Sequence, residues 1–178
     1  MKSNRKVDRE LLLELPKEKL ADLLFLQLRN MWSVDGLYFL GIEDMFGRED
    51  ATKIDKNVWE IMGEIEARRL KELMGFPGDD LPTMISALRL SSWSLDLEEK
   101  EIETGKDKAK FRNPNCRVQK TRIKKGLSEF PCKDVRWGYL KNFAKEFNPD
   151  IVVECNICPP DEHTDNIWCE WEFNLTPK

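Results

Sequence analysis

Two hydrophobic periodicities follow one another along the chain, and the change falls near residue 80. From Lys17 to about Phe46, apolar side chains recur every three or four positions, at Leu20, Leu23, Leu24, Leu28, Met31, Trp32, Leu37, Phe39, Leu40 and Met45. That spacing keeps one side of a helix apolar and predicts a helix over the stretch. Pro16 stands before it as a start signal and Gly47 after it as a stop. The next segment, "REDATKIDKNVWEIMGEIEARRLKELMG", opens acidic, ends basic and closes on Gly75. This order suits the helix dipole and a glycine C-cap, so a second helix is expected over 48–74. Joined through Gly47, the two make an antiparallel hairpin.

After "GFPGDD" (75–80) the texture changes. "TMISALRLSSWSLDLEEKEIETG" alternates apolar and polar residues and predicts a strand over about 87–103, with a turn near Gly105. "KAKFRNPNCRV" would return as its partner, and the basic run "RVQKTRIKKGL" reads as a short helix. "KDVRWGYLKNFAKEF" (133–147) sets Val135, Tyr139, Leu140, Phe143 and Phe147 on one helical face. "IVVEC" and "IWCEWEFNL" read as two strands separated by the loop "NICPPDEHTDN". The expected fold is α+β: an N-terminal helical hairpin (17–74) packed on an antiparallel sheet part (82–176), within a single domain over 1–178.

Length and composition narrow the class. At 178 residues the chain can fill one core. A net charge of −4 gives no electrostatic case for nucleic acid or an anionic membrane as partner. No segment approaches the roughly 18 apolar residues of a membrane span, and the N-terminal stretch lacks the apolar run of a signal peptide. The expected location is cytoplasmic, where the five cysteines would be thiols or metal ligands rather than disulfides.

Three of those cysteines and the single histidine fall in "VECNICPPDEHTDNIWCEWEF" (153–173). Cys155-x2-Cys158 can grip one ion from the same side, and a hairpin returns Cys169 beside it. Cys132, ahead of a helix, can complete a tetrahedron. Four thiolates with no vacancy are the structural zinc arrangement, so a zinc-pinned C-terminal hairpin is expected, with His163 as a second-rank ligand. Buried free thiols are the plain alternative, and an iron–sulfur cluster is a further one. A thioredoxin-like redox pair fits less well, because Pro159 and Pro160 follow at once where that motif starts a helix.

"RWGYLKNFAKEFNPDIVVECNICPPDEHTDNIWCEWEF" resembles the C-terminal part of the vinyl-reductase-type hydrocarbon-binding domain. Gly138-Tyr139, Cys155, Cys158 and Cys169-Glu170-Trp171 stand at matching places, with Cys132 upstream where a further ligand is expected. The resemblance implies a zinc site beside a ligand pocket. Cys155 stands where a glutamate is often found, giving an all-cysteine set, and the loop before Cys169 is longer. The N-terminal half, with "MWSVDGLYFLGIEDMFG", is similar to small prokaryotic proteins grouped loosely with aminothiazoline-carboxylate hydrolases, which implies an enzyme alternative.

The helix "NMWSVDGLYFLGIEDMF" holds a carboxylate in apolar company: Asp35 lies three residues after Trp32 and four before Phe39. A buried carboxylate needs a partner. Trp32, Asp35 and Tyr38, with Glu64 and Arg68 from the second helix, are the expected ligand-binding set. A structural salt bridge between helices is the competing explanation. For catalysis the candidates are Asp35 or Glu43 as general base and Cys116, whose thiol Arg117 could activate. No GxSxG elbow, HExxH or phosphate-cradling loop occurs. Three functions follow as expectations: a module for a small, partly apolar ligand with structural zinc; a hydrolase of a small amide or cyclic sulfur–nitrogen compound; or a dimeric scaffold presenting exposed aromatics such as Trp93, with a homodimer as its assembly.

Overall fold

The computed structural model describes residues 4–176. Helices α1 (Asn4–Glu14), α2 (Lys17–Phe46) and α3 (Arg48–Met74) come first, followed by α4 (Leu81–Arg89) and α5 (Ser92–Asp96). Strands β1 (Glu101–Thr104) and β2 (Lys108–Asn113) precede α6 (Arg117–Lys124) and α7 (Cys132–Phe147). The described chain closes with β3 (Ile151–Ile157) and β4 (Cys169–Leu175). The fold is α+β, with a four-stranded antiparallel sheet in the order β1-β2-β4-β3.

The long hairpin turns at Gly47, whose φ of 86° lies where a side chain is disfavoured. Its N–H closes α2 on the Glu43 carbonyl at 2.9 Å. Gly75 ends α3 in the left-handed conformation and caps it by donating to the Lys71 carbonyl. The other side of α3 packs along α7, and the fit depends on Gly63. A Cβ there would run into the backbone carbonyl of Tyr139. Helix α7 in turn lies on β3, and α4 touches β2 and β4, so these two helices connect the hairpin to the sheet.

The strand expected over 87–103 is instead two short helices, with β1 starting only at Glu101. Caps decide the matter. Asp80 accepts from the Thr83 amide at 2.7 Å with Pro82 in the first turn, and Ser91 accepts from the Ser94 amide at 3.2 Å. Leu81, Met84, Ile85 and Leu88 then fall on one buried helical face. The apparent alternation was a helical period sampled over too short a window. Helix α1 was not anticipated; it buries none of its residues, so its sequence carries no core pattern.

In the sheet, β4 runs between β2 and β3. Trp171 and Phe173 on one face are completely buried, alongside Phe111 of β2. The opposite face is ionic: Glu172 meets Lys108 at 2.6 Å, and Glu170 pairs with Arg112. One buried cluster extends from Trp32 on α2 through Tyr139 and Phe143 on α7 to these strand residues. Trp93, expected as an exposed interface aromatic, belongs to that cluster, stacked on Phe111 at 4.6 Å. Exposed apolar residues lie elsewhere, among them Leu24, Phe25, Leu26, Leu37, Met45 and Phe46 of α2, each more than half exposed.

Candidate ligand pocket and cysteine cluster

A cavity of about 350 Å³ opens between α2, α3, α5, α6 and the first turns of α7. Helical spacing assembles one wall. Trp32, Asp35 and Phe39 share a face of α2, and Asp55 and Trp59, four apart, share a face of α3. Asp35 and Trp59 are each twelve residues from Gly47, so the hairpin sets them opposite one another. The Trp59 indole Nε1 donates to Asp35 Oδ1 at 3.2 Å. The Trp32 and Trp59 rings stack 4.7 Å apart, nearly parallel, and Trp32 Nε1 donates to the Ser92 carbonyl at 3.0 Å.

Burial dominates the electrostatics. It raises the Asp35 carboxyl, against the Trp59 hydrogen bond and the Arg136 charge, which pull it down. Asp55 is pushed from 3.8 to about 7, first by burial and then by the charge of Asp35. Opposite these acids lies Arg136 of α7, buried with 6% of its surface exposed. Its guanidinium carbon is 4.8 Å from the Trp93 ring centre, 5.0 Å from Tyr139, 5.4 Å from Trp59 and 5.7 Å from Trp32. Its Nε and Nη1 have no hydrogen-bond partner.

Of the expected ligand-binding residues, Trp32 and Asp35 line this cavity, and Tyr38, Glu64 and Arg68 do not. Tyr38 projects outward and is 71% exposed. Glu64 and Arg68 do pair, but on an outer face of α3, where Arg68 also approaches Glu146 at 3.6 Å. Arg68 lies 21 residues beyond Gly47, too far along α3 to face Trp32 or Asp35. Glu43 forms a two-pronged pair with the buried Arg122 of α6, at 2.8 and 2.9 Å. Arg122 lowers its carboxyl, which makes Glu43 a weaker base than an ordinary glutamate.

Cys116 also lines the cavity, and its state is opposite to the expected one. Burial pushes its thiol up to about 12. Arg117 does not activate it, because its Nη2 donates to Asp96 at 2.9 Å. At neutral pH Cys116 is therefore a thiol and lacks the thiolate of a nucleophile.

The other four cysteines come together where α7, β3 and β4 meet. Cys132 opens α7, Cys155 lies on β3, Cys158 follows β3 and Cys169 opens β4. The Cys158 thiol hydrogen-bonds with those of Cys132, Cys155 and Cys169 and holds its proton well above the usual thiol range because of them. Cys158 and then Arg136 stabilise the Cys132 thiolate, bringing its pKa to about 7. The loop after Cys158 is tied down by Lys133, whose amide donates to the Pro159 carbonyl at 2.9 Å and whose Nζ meets Asp161 at 2.7 Å. Among the described residues no three His, Cys, Asp or Glu side chains stand in the geometry of a ready-made metal site. The four thiols meet through Cys158. His163 turns elsewhere, to Glu129 at 3.2 Å and the Trp168 ring at 4.5 Å.

Sequence reasoning missed Asp55, Trp59 and Arg136. Their signal was spacing: Asp55 and Trp59 share a helical face, while Arg136 falls between Cys132 and Tyr139 on the inner face of α7. No helix among the described residues is long and apolar enough to cross a membrane. The chain belongs to a family of unknown function, DUF6125, whose model matches residues 13–175. No curated protein matches it.

Proposed function

We propose that this protein is a cytosolic binding domain for a small, partly apolar molecule, with a structural zinc ion held by Cys132, Cys155, Cys158 and Cys169. The observation that carries the reading is the cavity of about 350 Å³, walled by Trp32, Trp59, Trp93 and Phe39 with a few inward polar groups. That size and mixture suit a compact ligand. The zinc part rests on four thiols interacting through Cys158, a donor set chemically matched to zinc. Such an ion would join α7 to the β3–β4 hairpin and leave no ligand position for water. The likeness of residues 136–173 to the hydrocarbon-binding domain points the same way, and the apolar residues exposed along α2 favour a homodimer.

One observation favours a second reading. Asp35 and Asp55 share the cavity, and Asp55 titrates near 7, within the range of a general acid or base at neutral pH. A hydrolase of a small amide or cyclic sulfur–nitrogen compound would use that pair.

Elemental analysis of the purified protein, with Cys132→Ser and Cys158→Ser alongside, tests the metal. One equivalent of zinc, lost in both variants, supports it; metal-free protein that is folded rejects it. Thermal-shift screening of compact aromatic and aliphatic compounds tests the pocket. Stabilisation without turnover supports the binding domain. Turnover that Asp35→Asn and Asp55→Asn abolish, with the fold intact, replaces it by the hydrolase.

A further inference from the structure

Arg136 presents a problem of charge. Like Arg122 it is buried beside the cavity, but among the described residues no carboxylate bonds to it, and its one acidic neighbour in contact is the Cys132 thiol. Asp35 and Asp55 lie within electrostatic range of it, yet neither bonds to its Nε or Nη1, which stay unpartnered and shielded from water. Asp35 has given one oxygen to Trp59. The other arginines around the cavity are engaged: Arg122 is held by Glu43, and Arg117 by Asp96.

The four rings around Arg136 account for part of its stability. An aromatic face beneath a guanidinium attracts its charge. The N–H bonds, however, lie in the guanidinium plane and point past a stacked ring, so the faces do not satisfy them as acceptors would. A buried donor left without an acceptor is costly. The side chain is also enclosed: the Trp93, Tyr139 and Trp59 ring centres lie 4.8, 5.0 and 5.4 Å from its guanidinium carbon. It is a dry cation bordering a cavity with apolar walls.

We propose that Arg136 is the anion anchor of the pocket, and that the ligand is a compact, otherwise apolar carboxylate whose oxygens accept from its guanidinium. This deepens the binding-domain reading and rests on it. The carboxylate would supply a counterion on the cavity side of Arg136, away from Cys132, and the apolar part would lie against Trp32, Trp59 and Phe39. Because Trp32 and Trp59 border the same space, binding would change tryptophan fluorescence.

The test uses the full chain and three probes, phenylacetate, cinnamate and octanoate, each beside its neutral amide, with titration followed by tryptophan fluorescence and calorimetry. At least one acid is expected to bind about tenfold or more tightly than its amide, as a charge-assisted bond implies. Arg136→Met should erase the difference. Arg136→Lys, which keeps the charge and loses the planar donor, should retain only part of it. The acid–amide comparison in the unmodified protein stands even if Arg136→Met fails to fold. Equal binding of acid and amide would overturn the anchor and leave the pocket reading intact. An acid preference that persists in folded Arg136→Met would overturn it also. If no probe of either kind binds, the anchor and the pocket reading fail together.

Discussion

Trp59 donates its indole N–H to Asp35 across the hairpin, at 3.2 Å, joining the two long helices by a polar contact inside an aromatic wall. Burial works against the Asp35 charge, and this bond is the largest effect favouring it. Trp59→Phe keeps most of the ring and removes the donor. The expected cost is about 1–3 kcal/mol, growing as pH rises and Asp35 becomes charged, so pH 8 and pH 5 are compared. Urea denaturation at both values checks it. An equal loss at the two pH values would mean that ring packing alone accounts for the effect.

Asp55 makes stability fall as pH rises. Its carboxyl is raised from 3.8 to about 7 in the folded protein. Below 3.8 both folded and unfolded chains carry the proton, so the group has no effect. Between 3.8 and 7 the folded chain keeps a proton that the unfolded chain has released, and each pH unit upward removes at most about 1.4 kcal/mol of stability. Above 7 the contribution levels off. Asp55→Asn is expected to flatten this part of the profile, becoming more stable than the unmodified protein at pH 8 and less distinct from it at pH 5. Midpoints of urea unfolding across pH 4.5–8.5 measure it, and parallel profiles for the two proteins would show that Asp55 titrates normally.

How far the site could be read from sequence depended on the range over which each signal acts. The α2–α3 hairpin was legible because its period runs over 58 positions and a glycine closes each of its helices. Asp35 was legible as a carboxylate in an apolar stripe. Its true partner was not, although counting outward from Gly47 reaches Trp59 rather than Arg68. Helices α4 and α5 were misread because nine and five residues are too few to separate a period of 3.6 from one of 2; Asp80 and Ser91, as caps, were the better evidence. Arg136 could not be identified as a pocket cation from its neighbours in sequence. Its surroundings come from α2, α3 and α5, and only the tertiary fold brings Trp32, Trp59 and Trp93 around it.

Gly63 is predicted to be the least replaceable glycine of the hairpin. It lies where α3 crosses α7, with the Tyr139 backbone filling the space a methyl group would need. Backbone cannot rotate aside as a side chain tip can. Gly63→Ala should cost on the order of 3 kcal/mol or more, despite alanine's better helix propensity. Gly36→Ala and Gly41→Ala, on α2 with open space around each Cβ, serve as controls and should be neutral or slightly stabilising. Chemical denaturation of the three variants decides it; a neutral Gly63→Ala would show that α3 and α7 can separate at little cost.

Glu43 has a structural task that conflicts with its candidacy as a base. Arg122 is buried in α6, with both terminal nitrogens on the Glu43 carboxylate and its Nε on the Ser128 carbonyl at 2.8 Å. This pair secures α6 to α2 along the rim of the cavity. Glu43→Ala leaves the guanidinium buried without its counterion, a loss of roughly 2–4 kcal/mol, toward the lower end because the carboxylate side is partly wet. Arg122→Met should cost less alone, and the double variant should recover part of the Glu43→Ala loss, since no unpaired charge remains. The pH dependence has the sign opposite to that of Asp55. The Glu43 carboxyl is lowered in the fold, so the pair's stabilisation is complete above the ordinary glutamate value and fades as acid protonates it. A double-mutant cycle at pH 7 and pH 4 measures both effects: a coupling that shrinks at pH 4 identifies the ion pair, whereas one that does not change with pH would assign the contact to packing.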